Sequence, residues 1–295
     1  MRILITGTSG QVGWELARGI CVLGEPLTPR RDALDLASAD AVAAWLDEHR
    51  PDLIVNPAAY TAVDKAEEEQ AAAYAINRDA PAAMAAWCAT NDVALVHYST
   101  DYVYPGHGEQ PYDEADPTGP TNVYGQSKLA GEEAIRASGC THLILRTSWV
   151  YGARGKNFLN TMLRLAETMP QLRVVSDQVG APTPARLIAE TTLAMLARRG
   201  MTTDALAPVT GTYHLVASGE VSWHGFAQAI MDARREITGK SSPEVRAITT
   251  AEFPTPASRP ANSRMSVAKL EKAFDLRMPD WRESLAHVMA QRLEA

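Results

Sequence analysis

The chain has 295 residues, 46% hydrophobic and 21% charged, enough apolar material for a sizeable core in one or two domains. With 28 Lys and Arg against 35 Asp and Glu the net charge is −7, and no basic run marks a nucleic-acid binder. Three scattered cysteines speak against a disulfide framework, seven histidines show no metal-ligand spacing, and no apolar run approaches the roughly 20 residues of a membrane span.

Arg2–Thr6 is apolar and β-branched and reads as a buried strand. It follows Met1 directly, with no signal-peptide pattern, so the expected location is cytoplasmic. Gly7, Gly10 and Gly13 then form Gly-x-x-Gly-x-x-Gly, with Gln11 and Val12 between the last two, ahead of a helical pattern. Glycines between strand and helix allow a tight turn and close backbone approach to a pyrophosphate seated on the helix N-terminus. The spacing has one residue more between its first two glycines than Gly-x-Gly-x-x-Gly. A second strand is expected near Pro26–Pro29, followed by Arg30, Arg31 and Asp32. Cations at this point suit a 2′-phosphate, so NADPH is the expected cofactor, with NADH use depending on Asp32. Asp35 and Leu36 end a short extended piece. Ala59, Tyr60 and Thr61 follow the next strand, Asp52–Asn56, with small residues where a dinucleotide can pass.

A long Ala-rich helical region, 67–91, is interrupted near Asp79–Pro81. The strand Val93–Ser99 delivers Thr100 and Asp101 to its C-terminal end, where open α/β sheets bind ligands. Tyr124 and Lys128 lie one turn apart on the next predicted helix, which Gly139 stops. Alone, such a pair is commonly an amphipathic tyrosine beside a solvated lysine. Beside a dinucleotide site it has chemical meaning. A free phenol titrates near about 10, and a nearby ammonium is expected to lower that value toward general acid–base use.

Strands alternating with helices predict an α/β fold with a doubly wound parallel sheet over 1–150, joined by returning segments at about 172–200 and 211–217. The remainder, 151–295, is expected to form a smaller C-terminal α/β substrate lobe.

With these motifs, the chain resembles the extended short-chain dehydrogenase/reductase family, which has a Rossmann-type fold. It is similar to the branch that reduces dTDP-sugars, through Arg146-Thr-Ser-Trp149 and Ser258-Arg-Pro-x-Asn-Ser263 in particular. The resemblance implies reduction of the 4-keto group of a dTDP-4-dehydro-6-deoxy-L-sugar. Tyr124 would donate the proton, Lys128 would tune it and hold the nicotinamide ribose, and Thr100 would bond the carbonyl. Asp101, Trp149, Asn157, Arg259 and Asn262 would touch the sugar nucleotide. Some relatives dimerise through a metal bridged by glutamates. Glu15 matches one of these, but Arg186 stands where another is expected, so no metal site is predicted, while a homodimer is admitted. The rival readings are a non-catalytic NADP-binding regulatory subunit and a nucleotide-sugar epimerase or dehydratase. No Asp-Glu pair follows Thr100, which favours the simple reductase.

Overall fold

The computed structural model describes residues 1–293. Six strands form one parallel sheet: β1 (Arg2–Ile5), β2 (Glu25–Leu27), β3 (Leu53–Asn56), β4 (Ala94–Thr100), β5 (His142–Thr147) and β6 (Gly211–His214). Their spatial order is β6-β5-β4-β3-β1-β2, so the order reverses between β1 and β3. A crevice opens at the carboxyl ends of the strands at such a reversal.

The strands are apolar on both faces because helices cover both. Ile3 and Ile5 point to one side with Val55, Val96 and Leu145. There they meet Leu16 of α1 (Gln11–Gly19) and Ile188, Met195 and Leu196 of α5 (Ala185–Arg199). Leu4, Ile54, Leu95 and Ile144 point to the other side. They pack on α2 (Ala39–His49), α3 (Ala80–Asn91) and α4 (Val123–Ser138) through Leu46, Met84 and Ile135. The helical region expected over 67–91 is broken by a wide π-type turn at Ala75–Asp79, and Pro81 lies in the first turn of α3.

The second lobe is built on α6 (Trp223–Thr238) and α7 (Trp281–Leu293), which bury Phe226, Trp281 and Val288 together. Gln171–Val175 pairs parallel with Glu244–Ile248 in this lobe. Helix α5 packs under α1, and β6 adds to β5 at the edge of the main sheet. A small sheet of Val221–Ser222, Val179–Gly180 and Asn262–Ser263 brings the lobe back toward β4. Cys88 and Cys140 are buried thiols, whereas Cys21 is exposed. Among the described residues, no helix is long and apolar enough to cross a membrane.

Candidate active site

A cleft of ≈ 960 Å³ lies over the carboxyl ends of β1, β3, β4 and β5. Its floor begins at the glycine turn. Gly7 has φ +59, and a Cβ there would sit 2.9 Å from Ala58 Cα. A Cβ on Gly13 would collide with the Gly7 carbonyl. Helix α1 starts at Gly10 with no side-chain cap and no acid in its first turn, so its first N–H groups face the cleft unneutralised. Thr147 Oγ1, buried in the cleft wall, has no partner in the protein. A glycine cradle, an open helix N-terminus and an unpaired wall hydroxyl fit a dinucleotide.

Gly7, Gly10, Gln11, Val12, Gly13, Arg30, Arg31, Asp35, Leu36, Ala59 and Thr61 all line this cleft. Arg30 is largely exposed and lies 3.6 Å from Asp32. Tyr60 does not line the cleft. Its hydroxyl donates to Glu69 (2.6 Å), and its backbone is clasped by Asn77 (2.8 and 3.1 Å). The ring is thus turned away to support the wall behind Tyr124.

Thr100, Asp101, Tyr124, Lys128 and Trp149 meet at the other end of the cleft. Helix α4 can approach β4 because Gly125 lies against the Tyr102 carbonyl, where any side chain would clash. Asn122 caps the helix by accepting from the Gly125 N–H (2.8 Å) and donates to the Ser258 carbonyl (2.8 Å). Tyr124 is buried, and burial raises its pKa, with the Thr100 hydrogen bond opposing. The expectation that the Lys128 ammonium lowers the phenol is not met in this state, in which burial outweighs the opposing influence. The Lys128 amine instead faces the sheet, 2.7 Å from the Tyr98 carbonyl and 3.1 Å from His97 Nε2. Burial lowers the Lys128 pKa to about 8, with Glu132 opposing. The phenol therefore keeps its proton at neutral pH, the state of a general acid.

Thr100 donates its hydroxyl to Asp101 Oδ1 (2.9 Å) and accepts the Tyr102 N–H (3.2 Å). Ser263 donates to the other Asp101 oxygen at 2.5 Å, a bond spanning the two lobes. Burial raises the Asp101 pKa to about 6, with the Ser263 and Thr100 bonds opposing. Trp149, at φ +47, stacks on Trp223 with centroids 3.6 Å apart, so it anchors the first turn of α6 while it lines the cleft.

Three further residues expected to touch the sugar nucleotide are tied to other parts of the protein. Asn157 caps Phe158–Leu165 and donates to Gln11 Oε1 (2.8 Å) and to the Gly152 carbonyl (2.9 Å). Asn262 is buried, donating to the Gln110 carbonyl (2.8 Å) and accepting from Arg264 (3.2 and 3.1 Å). Arg259 pairs with Asp64 at 2.6 Å. None of the three lines the cleft: Asn157 and Asn262 hold loop carbonyls, and Arg259 binds Asp64 while its buried Nη1 has no hydrogen-bond partner. Lys156, which sequence reasoning missed, does line it. Ser263 sits inside the Ser-Arg-Pro-x-Asn-Ser stretch, which was the signal available for it.

Arg186 pairs with Glu190 (2.7 Å) on α5. Both act electrostatically on Glu15 of α1, whose carboxyl is raised by burial. Among the described residues, no group of three or more His, Cys, Asp or Glu is placed to hold a metal ion.

The comparisons with known proteins point the same way as the geometry. The chain is 47% identical over 285 residues to the dTDP-4-dehydrorhamnose reductase of Burkholderia thailandensis, covering 96% of each chain. The crystal structure of a dTDP-4-dehydrorhamnose reductase from Clostridium acetobutylicum superimposes with a TM-score of 0.90 at 36% identity, over 99% of each chain. That of the Bacillus anthracis enzyme, solved in complex with NADP, also gives 0.90, at 33% identity over 98% of this chain and 99% of that one. The model of the RmlD substrate binding domain family matches residues 1–294, and the chain belongs to that family.

Proposed function

We propose that the protein reduces dTDP-4-dehydrorhamnose to dTDP-L-rhamnose with NADPH. The observation that carries this reading is the meeting of Thr100, Tyr124 and Lys128 at one end of a cleft whose other end is a glycine cradle flanked by Arg30 and Arg31. The relatives' names supply the sugar nucleotide, and a relative solved with NADP supports the cofactor.

The bound nicotinamide would supply the hydride. The glycine turn and the N-terminus of α1 would seat the diphosphate, and Arg30 and Arg31 would face a 2′-phosphate. Lys128 would hold the ribose. Tyr124, protonated at neutral pH, would pass its proton to the oxygen forming at C4 of the sugar. Before substrate arrives, the Thr100 hydroxyl is committed to Asp101. It would have to turn from that carboxylate to bond the ketone. Trp149 would flank the sugar, held in place by its stack on Trp223.

The test is NADPH oxidation on adding the keto sugar, in wild type and Tyr124→Phe. The expectation is turnover in wild type, and in the variant NADPH binding with a rate lower by about 10²- to 10⁴-fold. Cofactor binding without wild-type turnover would support a regulatory subunit instead. Epimerised or dehydrated product would support the other rival.

A further inference from the structure

Behind the cleft, a buried chain of side chains crosses the ends of three neighbouring strands. Thr6 follows β1, Asn56 ends β3 and His97 lies within β4; His97 is 0% exposed and Asn56 1%. The Thr6 hydroxyl lies 2.5 Å from Asn56 Oδ1 and accepts the Ala58 N–H at 3.2 Å. Asn56 Nδ2 lies 3.1 Å from His97 Nδ1, and His97 Nε2 lies 3.1 Å from Lys128 Nζ. Lys128 donates onward to the Tyr98 carbonyl. Thr6 and Lys128 line the cleft, whereas Asn56 and His97 do not.

Read in this orientation, every link has a donor and an acceptor. Thr6 donates to Asn56, Asn56 donates to Nδ1, and the ring proton on Nε2 points at a neutral Lys128 amine. An ammonium has only donors, so it requires a bare Nε2 and the ring proton on Nδ1. Nδ1–H then needs an acceptor, and turning the Asn56 amide over supplies its oxygen. The two ends of a carboxamide have nearly the same shape, so only hydrogen bonding fixes which way it faces.

We propose that Asn56 and His97 are positioning residues that let Lys128 exist as ammonium or amine, the His97 tautomer following the charge on Lys128 and the Thr6 hydroxyl, once the Asn56 amide is turned over, directing its proton into the cleft it lines. The protons balance. Lys128 releases one proton to the cleft, one ring proton moves from Nδ1 to Nε2, and the imidazole stays neutral throughout. Burial and the Lys128 charge both disfavour protonation of the ring. The other titratable groups around the pair are Glu132, one turn further along α4 and bound to Arg146 and Arg136, and Tyr124, one turn earlier and facing the cleft with Thr100 and Asp101. The bearing on catalysis, read by the pH–rate profiles below, rests on the function proposed above, but the NMR titration needs neither sugar nor cofactor.

The test is ¹⁵N NMR of the full chain labelled in its histidine rings, titrated from pH 6 to 10. The expected result is a neutral His97 ring carrying its proton on Nδ1 at the acid end and on Nε2 at the basic end, with a single midpoint. Lys128→Met should abolish the transition. His97→Gln, whose amide can accept or donate at the Nε2 position, should keep the wild-type pH–rate profile, whereas His97→Leu should not. A ring that holds one tautomer across the range, that becomes cationic, or that changes tautomer equally in Lys128→Met overturns the proposal.

Discussion

Glu132→Gln tests how the scaffold reaches the site. Glu132 and Arg146 are both buried, with side-chain exposures of 0% and 3%. Arg146 binds the carboxylate through Nη2 at 2.6 Å and Nε at 2.9 Å, and Arg136 adds a bond at 3.0 Å. Removing the charge leaves the Arg146 guanidinium buried without its counter-ion, a change that costs about 3–5 kcal/mol. The Gln oxygen retains one bond, and Tyr104 still takes another Arg146 N–H, so the lower end, about 3 kcal/mol, is expected. Chemical denaturation at pH 7.5 should show this loss, and the melting temperature should fall by about 6–12 °C at roughly 2–4 °C per kcal/mol.

The pH dependence has a definite sign. Burial pushes the Glu132 carboxyl up, but the bonds and charge of Arg146 outweigh it and hold it below its ordinary value. The group therefore stabilises the fold above its unfolded pKa of about 4.3, and that contribution is lost as pH falls through the folded value. The gap between wild type and variant should close in acid. Because the Glu132 charge also raises the Lys128 pKa, the basic limb of the variant's pH–rate profile should move to lower pH. Wild-type stability at neutral pH, within about 0.5 kcal/mol, would refute the role assigned to this pair.

Two further variants read other parts of the site. Arg30→Ala/Arg31→Ala should lose more affinity for NADPH than for NADH. The wild-type preference should be about tenfold and shrink in high salt, since Arg30 is largely exposed; equal losses in a cofactor titration would remove these residues from 2′-phosphate recognition. Ser263→Ala removes a donor from the Asp101 carboxylate, so the Asp101 midpoint, about 6 in the wild type, should rise by about one unit. The carboxyl ¹³C shift, assigned with Asp101→Asn, reads it, and an unmoved midpoint would show that the inter-lobe bond is idle.

The glycine turn and the Tyr124–Lys128 pair were legible in the sequence because each satisfies a local demand. A positive φ and close backbone contacts require Gly7 and Gly13, and helical spacing brings Tyr124 and Lys128 to one face. The strands were legible through runs apolar on both faces. The structural ties of Asn157, Arg259 and Asn262 were not, because an amide or guanidinium that ties a distant segment has the same sequence signature as one that binds a ligand. Their partners, at Gln11, Asp64 and Gln110, lie 146 to 195 residues away. His97 and Ser263 escaped for the same reason: their partners Lys128 and Asp101 are 31 and 162 residues distant. The direction of the Tyr124 shift depended on how completely the phenol is enclosed, which spacing alone does not encode.

The most direct test of the central claim follows the hydride. Purified protein would be incubated with dTDP-4-dehydrorhamnose and, in separate reactions, each of the two C4-deuterated forms of NADPH. The account predicts that one form delivers a single deuterium to C4 of dTDP-L-rhamnose, with one cofactor oxidised per sugar reduced. Recovered keto sugar with NADPH intact, or a product lacking deuterium at C4 from both forms, would contradict it.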